Sequence, residues 1–428
     1  MTRSPFATEV WLAAGVRTPF AKVDGALSSL DAIGLSVPVV RHMIKQLDGA
    51  LPDFAVWGTV VPNLTWSNIA REILMEAGVA PRVTAFSTVM ACSTSMIAMI
   101  QAAGMIDGLS RNLALVGGAE SMSRVQLGLG QKLSDWIRGF QQARSIGEKV
   151  SHAVGLRPGD VQLYIPSVTN RTTGLSMGEH TEITAKEWQI SRAEQDQVAL
   201  DSHRHAVAAW ESGFFKDLVI PINDLKSDAL PRRDTSLEKL ARLPPAFDRS
   251  SGQGTLTAGN SSPLTDGAAG LWVASPSGLF KLPPDTRKVK LIDWEIGSVD
   301  FRVEGLLMAP AFAIPKLLAR HNMKYDDVAL WEIHEAFAAQ LLFHIKALQN
   351  RDFVHDRAGV DFDFGAFPTD RVNPTGGSVA LGHPFGATGA RILSQAVMEL
   401  SAMPRGARAI VSICADGGQG SVALLEAG

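Results

Sequence analysis

One pattern occurs twice in this chain and limits the folds open to it: a helix-like segment rich in small residues, followed by a short apolar run that ends in glycine. In the first half "TSMIAMIQAAGMIDGL" precedes "LALVGGAES" at 113–121, and in the second half "GATGARILSQAVMEL" precedes "RAIVSICADGGQG" at 408–420. Short apolar runs bounded by glycine are typical of buried strands. A helix followed by a strand in both halves predicts an α/β fold with layered helices and sheets and two pseudo-symmetric halves.

A polar stretch separates the two copies of this pattern. Its segment "ISRAEQDQVALDSHRHAVAAWESG" has helical periodicity, and Ser191 with Glu194 fits a capping box at the helix start. The run "LTAGNSSPLTDGAAGLWVA" then returns to strand-like sequence. We therefore predict a first half made of 1–123 plus 248–282, an inserted helical loop domain at 124–247, and a second half at 283–428.

Charge and hydropathy exclude several classes of protein. The chain has 428 residues and a formal net charge of −3, without a long run of like charges, so we expect no nucleic-acid partner. Residues 83–106 carry no charge, but serines and threonines interrupt them, which favours a buried strand and helix over a transmembrane segment. The first residues reach strand-like sequence too early for a targeting segment, so the expected location is cytoplasmic.

The chain has two cysteines, Cys92 and Cys414, which lie far apart in the sequence. In a chain without a secretory signal a structural disulfide is not expected. Neither cysteine has a second cysteine or a histidine at chelating spacing, so we predict no metal site. The ordinary role of a lone intracellular cysteine is that of a small buried apolar side chain.

The neighbours of both cysteines favour chemistry over simple burial. Cys92 lies where strand-like sequence passes into a helix that starts near residues 93–95, and a helix N-terminus favours the thiolate. Cys414 ends a strand-like run and is followed by glycines. The glycine and proline in "GHP" fix the backbone of His383, and an imidazole can activate a thiol by accepting its proton. A second candidate, His334 in "WEIHEAFAAQ", also follows a strand-like run.

At these residues the chain resembles the thiolase family. The nucleophile segment of the family is similar to "ACSTSM", its central signature to "TAGNSSPLTDGAA", its histidine loop to "NPTGGSVALGHPFGATGAR" and its second cysteine segment to "CADGGQG". The likeness runs from "GVRTPFA" at 15–21 to the C-terminus, with the motifs in the family's order. The "HEAF" at 334–337 is similar to the β subunits of fatty-acid oxidation trifunctional complexes and their bacterial relatives.

The resemblance implies an acyltransferase that cleaves a 3-ketoacyl-CoA with free CoA, in fatty-acid β-oxidation. Cys92 would attack the 3-keto carbonyl while His383 accepts its proton, and Cys414 would protonate the departing acetyl-CoA enolate. Free CoA would then take the shortened acyl group from Cys92. CoA is a substrate in this scheme, and no tightly bound cofactor is expected.

The same resemblance assigns groups that stabilise charge. His383 and a water held by His334 would serve the thioester oxygen of the enolate, and the backbone N–H groups of Cys92 and Asp416 would serve the tetrahedral intermediate. The alternative for His334 is a core histidine that Glu335 satisfies by a hydrogen bond.

For CoA binding, the resemblance places Ser262 near the pantetheine, and the guanidinium groups of Arg232 and Arg233 are candidates to hold the phosphates. A serine at a turn and exposed arginines without a ligand are the alternatives. The other eight histidines, including His180 and His203, are expected at the surface.

Two departures from the family's pattern affect these expectations. Asp416 stands where glycine or alanine is common, and its carboxylate is expected to raise the pKa of Cys414. Met96 replaces a common glycine and is expected to narrow or reshape the pocket. The alternative functions are a biosynthetic acetoacetyl-CoA-type thiolase, a β-ketoacyl synthase, and a catalytically altered CoA- or lipid-binding relative. The second cysteine argues against the synthase.

The resemblance also implies partners. A homodimer or a dimer of dimers is expected, because the segment around Cys92 has too many small residues for a surface. Apolar residues recur at helical spacing within 125–166, with basic residues between them. The similar region of trifunctional relatives contacts membrane or a hydratase/dehydrogenase α subunit. The alternative is that this apolar face packs on the inserted domain itself.

Overall fold

A computed structural model describes residues 6–109, 111–166 and 168–428. Its strands are β1 (Val10–Ala13), β2 (Ala21–Lys22), β3 (Phe54–Gly58), β4 (Thr84–Ser87), β5 (Leu113–Glu120), β6 (Gly128–Leu129), β7 (Leu163–Tyr164), β8 (Thr265–Ala274), β9 (Lys288–Ser298), β10 (Leu330–Ile333), β11 (Arg408–Ala415) and β12 (Gln419–Ala427). Its α-helices are α1 (Ala32–Lys45), α2 (Ile69–Glu76), α3 (Thr94–Leu109), α4 (Gln131–Gln142), α5 (Ile146–Val154), α6 (Met177–Glu187), α7 (Arg192–Glu211), α8 (Leu237–Ala241), α9 (Pro276–Leu279), α10 (Phe301–Glu304), α11 (Ala309–Arg320), α12 (Ala338–Gln349), α13 (Ser378–Leu381) and α14 (Thr388–Leu400). Short 3₁₀ turns lie at Pro158–Asp160, Phe214–Asp217, Tyr325–Asp327, Thr369–Arg371 and Phe385–Ala387, and a π turn at Phe353–Arg357.

The large sheet shows the predicted duplication directly. Its order is β10, β11, β12, β9, β1, β8, β5, β3, β4, and β2 pairs with β8. From the centre outwards, β1, β8, β5 and β3 repeat the arrangement of β9, β12, β11 and β10, with two antiparallel pairings and then a parallel one. The two halves join through the antiparallel pair β1 and β9. The predicted pseudo-symmetric halves are therefore confirmed.

The strands of each half form one layer. Helices lie between these two layers and on the outer face of each, which gives five layers. The central core contains α3 and α14 with one face of the strands of both halves, for example Val56 of β3. The next residue, Trp57, points to an outer core shared with α1 and α2, as the alternation of side chains along a strand requires. In the second half the outer core contains α11 and α12. This layering confirms the predicted α/β architecture.

The two central helices approach closely at their N-termini, which positions the candidate site. Both were predicted from small, apolar sequence, and such sequence suits a helix that is buried on most sides. A side chain at Gly389 would come within 2.5 Å of the backbone N of Met96, so only glycine fits there. The N–H of Ala390 donates to the Ser95 hydroxyl at 2.8 Å. The start of α3 and the start of α14 are thus held together.

The segment between β5 and β8 contains α4 to α8 and the small sheet of β6 and β7. Ser191 and Glu194 form the predicted capping box at the start of α7. The bounds of the inserted domain stay a prediction. No helix in the described part of the chain is long and apolar enough to cross a membrane.

Helices α4 and α5 pack on each other as a hairpin. The rings of Trp136 and Phe140 stack with centroids 5.5 Å apart, and the Trp136 indole N–H donates to the His152 carbonyl at 2.5 Å. None of the α4 side chains is fully buried. The apolar residues Ile146 and Ile165 of the surrounding segment are 83% and 69% exposed. Packing within the hairpin therefore covers part of the predicted apolar stripe, and another part stays exposed at the surface.

Candidate active site

The two halves enclose a cavity of about 480 Å³ that contains the sequence-predicted nucleophile. Cys92, His383, Asp416 and Ser262 line it together with mostly apolar side chains, Phe337 among them. A surface cavity of about 690 Å³, lined in part by Trp188 and Arg357, shares none of these residues. The smaller cavity is therefore the candidate active site.

Cys92 is presented by a sharp turn between β4 and α3. Ala91 has a φ of +43°, a left-handed conformation that residues with a side chain rarely adopt. Around it, the N–H of Ser93 donates to the Met90 carbonyl at 2.9 Å and the N–H of Thr94 to the Ala91 carbonyl at 3.1 Å. Such strained turns cluster at functional sites. The turn leaves Cys92 partly exposed to the cavity, two residues before α3 begins.

The glycine-rich loop of the second half holds His383 against Cys92. Gly382 has a φ of +97°, so the loop requires glycine before the histidine. The backbone N–H of His383 donates to the Thr265 hydroxyl at 3.1 Å. Its Nε2 lies 3.0 Å from the Sγ of Cys92. The predicted pair of thiol and imidazole is therefore in hydrogen-bonding contact.

The neighbours of His383 identify which of its nitrogens carries the proton. The Thr388 hydroxyl donates to the Pro384 carbonyl at 2.9 Å, because a carbonyl oxygen can only accept. The same hydroxyl lies 2.6 Å from the Nδ1 of His383 and can only accept there. A neutral His383 therefore carries its proton on Nδ1, and its Nε2 lone pair faces the Cys92 thiol.

His334 follows β10 and lies beside His383, with the ring centroids 4.2 Å apart. Its backbone N–H donates to the Ser412 carbonyl at 2.9 Å, and its Nδ1 lies 2.9 Å from the Ser378 hydroxyl. Glu335 does not bond to it. That carboxylate instead accepts from the Ser202 hydroxyl at 2.7 Å and from other neighbours.

Cys414 is the penultimate residue of β11 and is buried, with 1% of its surface exposed. The Ser93 hydroxyl donates to the carbonyl of Ile413 at 3.2 Å, and the Ser421 hydroxyl donates to the Ser93 hydroxyl oxygen at 3.0 Å. These bonds tie the turn of the nucleophile to the strand of the second cysteine. Burial raises the pKa of Cys414, and a thiolate at Cys92 would raise it further.

Two family models together match nearly the whole chain. Residues 10–277 match the thiolase N-terminal domain, and residues 286–427 match the thiolase C-terminal domain. The chain belongs to the thiolase family. This confirms the resemblance seen in the sequence motifs.

Curated relatives and solved structures agree with this membership. The 3-ketoacyl-CoA thiolase of Pectobacterium carotovorum subsp. carotovorum is 36% identical over 96% of this chain and 95% of its own length. That of Vibrio cholerae serotype O1 is 36% identical over 99% and 98%. The Acat5 thiolase from Ascaris suum in complex with coenzyme A has a TM-score of 0.79 at 30% identity and covers 98% of this chain and 100% of its own. The Bacillus anthracis acetyl-CoA acetyltransferase has a TM-score of 0.80 at 31% identity, with coverages of 99% and 100%.

The charge state of the nucleophile in this thiolase differs from the sequence-based expectation. The start of α3 was expected to favour a thiolate at Cys92. Instead, burial raises the pKa of Cys92 to about 12, and the negative charges of Asp416 and Glu120 add to the effect. Burial lowers the pKa of His383 to about 3, and the positive charge of Arg391 contributes. The resting pair is therefore a neutral thiol and a neutral imidazole.

Asp416 acts on a different thiol from the one expected. Its carboxylate raises the pKa of Cys92, whereas the pKa of Cys414 is raised by burial and then by the charge of a Cys92 thiolate. The Asp416 side chain lines the cavity and accepts from the Asn170 amide at 2.9 Å and from the backbone N–H of Gly417 at 2.7 Å. It is therefore held beside the nucleophile by the inserted segment.

The predicted CoA contacts separate into two groups. Ser262 lines the cavity, and its hydroxyl donates to the Ala336 carbonyl at 2.8 Å. Arg232 and Arg233 are exposed and lie outside the cavity lining, and Arg233 pairs with Glu211. The structure thus brings the serine, and not the arginines, into the cavity with Cys92.

Two further expectations were wrong. Met96 does not narrow the cavity, since it is fully buried in the central core around α3. Four of the eight remaining histidines are buried and not at the surface: His180, His203, His321 and His344. Each has a polar partner that makes burial tolerable; for example, His344 contacts the Leu307 carbonyl through its Nε2 at 2.6 Å.

Sequence reasoning missed the residues that support the two site histidines. Thr388, Ser378 and Arg391 all lie in or beside the glycine-rich loop that had been singled out for His383. The signal was therefore present as hydroxyl and guanidinium groups at fixed places in that motif. Their partners become evident only when the loop folds back on β10.

Proposed function

We propose that this thiolase cleaves 3-ketoacyl-CoA with free CoA, giving acetyl-CoA and a shortened acyl-CoA, in fatty-acid β-oxidation. The observation that carries the proposal is the 3.0 Å contact of the Cys92 thiol with the unprotonated Nε2 of His383 in the cavity. The curated relatives named as 3-ketoacyl-CoA thiolases support the choice of reaction. The protein would therefore be an acetyl-CoA acyltransferase.

In the first step Cys92 attacks the 3-keto carbonyl as its proton passes to His383. Because the resting thiol is neutral, proton transfer accompanies attack, which is general-base catalysis of a nucleophile. The tetrahedral oxyanion would be held by the backbone N–H groups of Cys92 and Asp416, both of which line the cavity. Cleavage of the carbon–carbon bond then leaves the acyl group on Cys92.

The acetyl-CoA enolate released by this carbon–carbon cleavage then needs a proton. Cys414 is proposed as the acid, and burial favours its neutral, protonated form by raising its pKa. His383 and His334 are proposed to stabilise the thioester oxygen of the enolate, His334 through a bound water. Free CoA then attacks the acyl group on Cys92 as its thiol proton passes to the Cys414 thiolate, and His383 returns its proton to the departing Cys92, which regenerates both thiols.

A direct assay follows the loss of the magnesium-enolate absorbance of a 3-ketoacyl-CoA after CoA is added. Loss that requires both CoA and enzyme supports the proposal, and no loss over a range of chain lengths contradicts it. Incubation with an acyl-CoA should also add the acyl mass to the peptide that contains Cys92. Label found only on Cys414 would reverse the assignment of nucleophile.

For CoA itself, Ser262 is proposed to contact the pantetheine, with Arg232 and Arg233 at the phosphates. The lining position of Ser262 and the CoA-bound Ascaris suum neighbour support this placement. No tightly bound cofactor is proposed. Charge removal at Arg232 and Arg233 together should raise KM for CoA more than for a pantetheine analogue without phosphates. Equal effects on both would contradict the phosphate role.

We also propose a homodimer, or a dimer of dimers, formed at the edge of the large sheet. Among the described strands β4 pairs only with β3, and Val89, which follows it, is 60% exposed. An edge strand with free backbone groups is suited to pairing with a second copy. A monomer by light scattering at micromolar concentration would contradict this assembly.

A hydratase/dehydrogenase α subunit is proposed to contact the α4–α5 hairpin. The support is the apolar surface at Ile146 and Ile165, beside the exposed Lys132 and Arg138. Deletion of the hairpin should abolish association with such chains. Unchanged association, or binding to liposomes in its place, would contradict the assignment. The cytoplasmic location stays a prediction that cell fractionation can test.

A further inference from the structure

His334 and His383 have similar surroundings, but their proposed roles need the proton on a different ring nitrogen in each. His334 is buried, its Nδ1 meets the Ser378 hydroxyl, and its Nε2 has no hydrogen-bond partner among the described residues. One ring nitrogen of each histidine and the Sγ of Cys92 lie within 4.8 Å of one another. Which nitrogen of His334 carries the proton decides whether it presents a donor or a lone pair to this space.

The Ser378 hydroxyl settles that question through its second partner. Arg391 donates from Nη2 to the Ser378 oxygen at 2.5 Å, and a guanidinium has no acceptor. The serine proton must then point elsewhere, and the described structure offers it one acceptor, the Nδ1 of His334 at 2.9 Å. Ser378 is fully buried, so leaving its hydroxyl proton without an acceptor would be unfavourable.

Arg391 is held in place as a permanent donor. It is buried, its Nη1 donates to Gln395 at 3.0 Å, and the carboxyl groups of Glu332 and Glu335 lie near enough to favour its charge. Burial lowers its pKa to about 10, which leaves it charged at neutral pH. Its charge also polarises the Ser378 hydroxyl and makes that group a better donor.

We propose that Ser378 and Arg391 are positioning residues that hold His334 as the Nε2–H tautomer, opposite to the Nδ1–H tautomer that Thr388 imposes on His383. The two hydroxyls differ in one respect. Thr388 donates to a carbonyl and so accepts from its histidine, whereas Ser378 accepts from a guanidinium and so donates to its histidine. Adjacent rings are thereby given the roles of base and hydrogen-bond donor.

This inference rests on the proposed function for its consequence. An Nε2–H of His334 can donate to a water or to the thioester oxygen on which negative charge develops, and a lone pair could not. Burial and the nearby positive charges lower the pKa of His334 well below its usual value, so the donor is a neutral imidazole. The same proton makes the group of Cys92, His334 and His383 a poor metal site, because a metal would need the lone pair.

The tautomers can be measured in the wild-type enzyme without substrate. Two-bond proton–nitrogen NMR correlations of histidine-labelled protein distinguish the protonated from the bare ring nitrogen, with His334→Asn and His383→Asn used for assignment. We expect a protonated Nε2 in His334 and a protonated Nδ1 in His383. The same tautomer in both rings, or a charged His334 at neutral pH, would overturn the proposal. Because no turnover is needed, this result is independent of the reaction assigned.

Kinetics then test the role of the hydroxyl. Ser378→Ala should lower thiolysis by about 10-fold or more, and transacylation from a simple acyl-CoA by less, since only carbon–carbon cleavage forms the enolate. Ser378→Thr, which keeps a hydroxyl, should recover part of the loss. An equal fall in both reactions with the His334 NMR signals unchanged would mean a merely structural role and would overturn the proposal. A wild-type enzyme without thiolysis would refute the proposed function instead.

Discussion

The Nε2 atom of His383 and the Sγ atom of Cys92 meet at 3.0 Å although they come from opposite halves of a duplicated fold. The cysteine precedes α3 and the histidine precedes α14, and these two helices pack at the centre of the molecule. A neutral thiol faces the bare nitrogen of a neutral imidazole. Activation of the nucleophile therefore depends on the packing of the two halves and on the tautomer of one ring.

Replacement of Thr388 by valine tests how that tautomer is maintained. Valine keeps the shape of the side chain but cannot accept from the Nδ1–H of His383, so the buried proton loses its partner and the other tautomer gains population. We expect acyl transfer from an acyl-CoA to fall by about 10-fold, since one buried hydrogen bond is worth about 1.4 kcal/mol. Thr388→Ser keeps the hydroxyl and serves as the matched control. Equal rates in both variants would contradict the tautomer assignment.

Removal of the charge on Asp416 should make Cys92 more acidic. Burial and then the Asp416 carboxylate raise the pKa of Cys92, so Asp416→Asn should lower that pKa while an amide oxygen can still accept from Asn170. The pH profile of Cys92 alkylation by iodoacetamide, followed by peptide mass mapping, should shift to lower pH. Asp416→Glu, which retains the charge, should not shift it in that direction. An unchanged profile in the asparagine variant would show that Asp416 does not affect the nucleophile.

Glu120 links stability to pH near neutrality. Its carboxylate accepts from the backbone N–H groups of Val60, Val61 and Gly386, yet burial still raises its pKa to about 7. The folded state then holds its proton more tightly than the unfolded chain, so stability is lost as pH rises from about 4.5 to 7. Relative to Glu120→Gln, the wild-type free energy of unfolding should fall by on the order of 3 kcal/mol over that range. Urea titrations that give a constant difference would contradict this.

The central layers could be predicted from the sequence because their patterns are local. Helix α3 was expected over the same residues that form it, and the strands with Cys414 and before His334 end where the glycines and polar residues indicated. The sequence also identified Cys92 and His383 as candidate site residues, because each lies beside a predicted turn and an imidazole can activate a thiol. These features depend on residues that are close together in the chain.

Properties that depend on distant contacts could not be predicted. The high pKa of Cys92 comes from burial between the halves and from Asp416 and Glu120, none of which is a sequence neighbour. The buried His344 looked like a surface residue because its carbonyl partner lies in another part of the chain. Conversely, Arg233 was expected to bind CoA, but it is exposed, pairs with Glu211 and does not line the cavity.

In the proposed mechanism, Cys92 carries the acyl group and Cys414 moves only the proton on the α-carbon. The most direct measurement compares transacylation and thiolysis in parallel for folded Cys92→Ala and Cys414→Ala variants. Cys414→Ala should keep transacylation, which forms and breaks only carbon–sulfur bonds, and lose about 10²- to 10⁴-fold in thiolysis. Cys92→Ala should lose both. Full thiolysis in Cys414→Ala, or a loss of transacylation as complete as in Cys92→Ala, would contradict this division of roles.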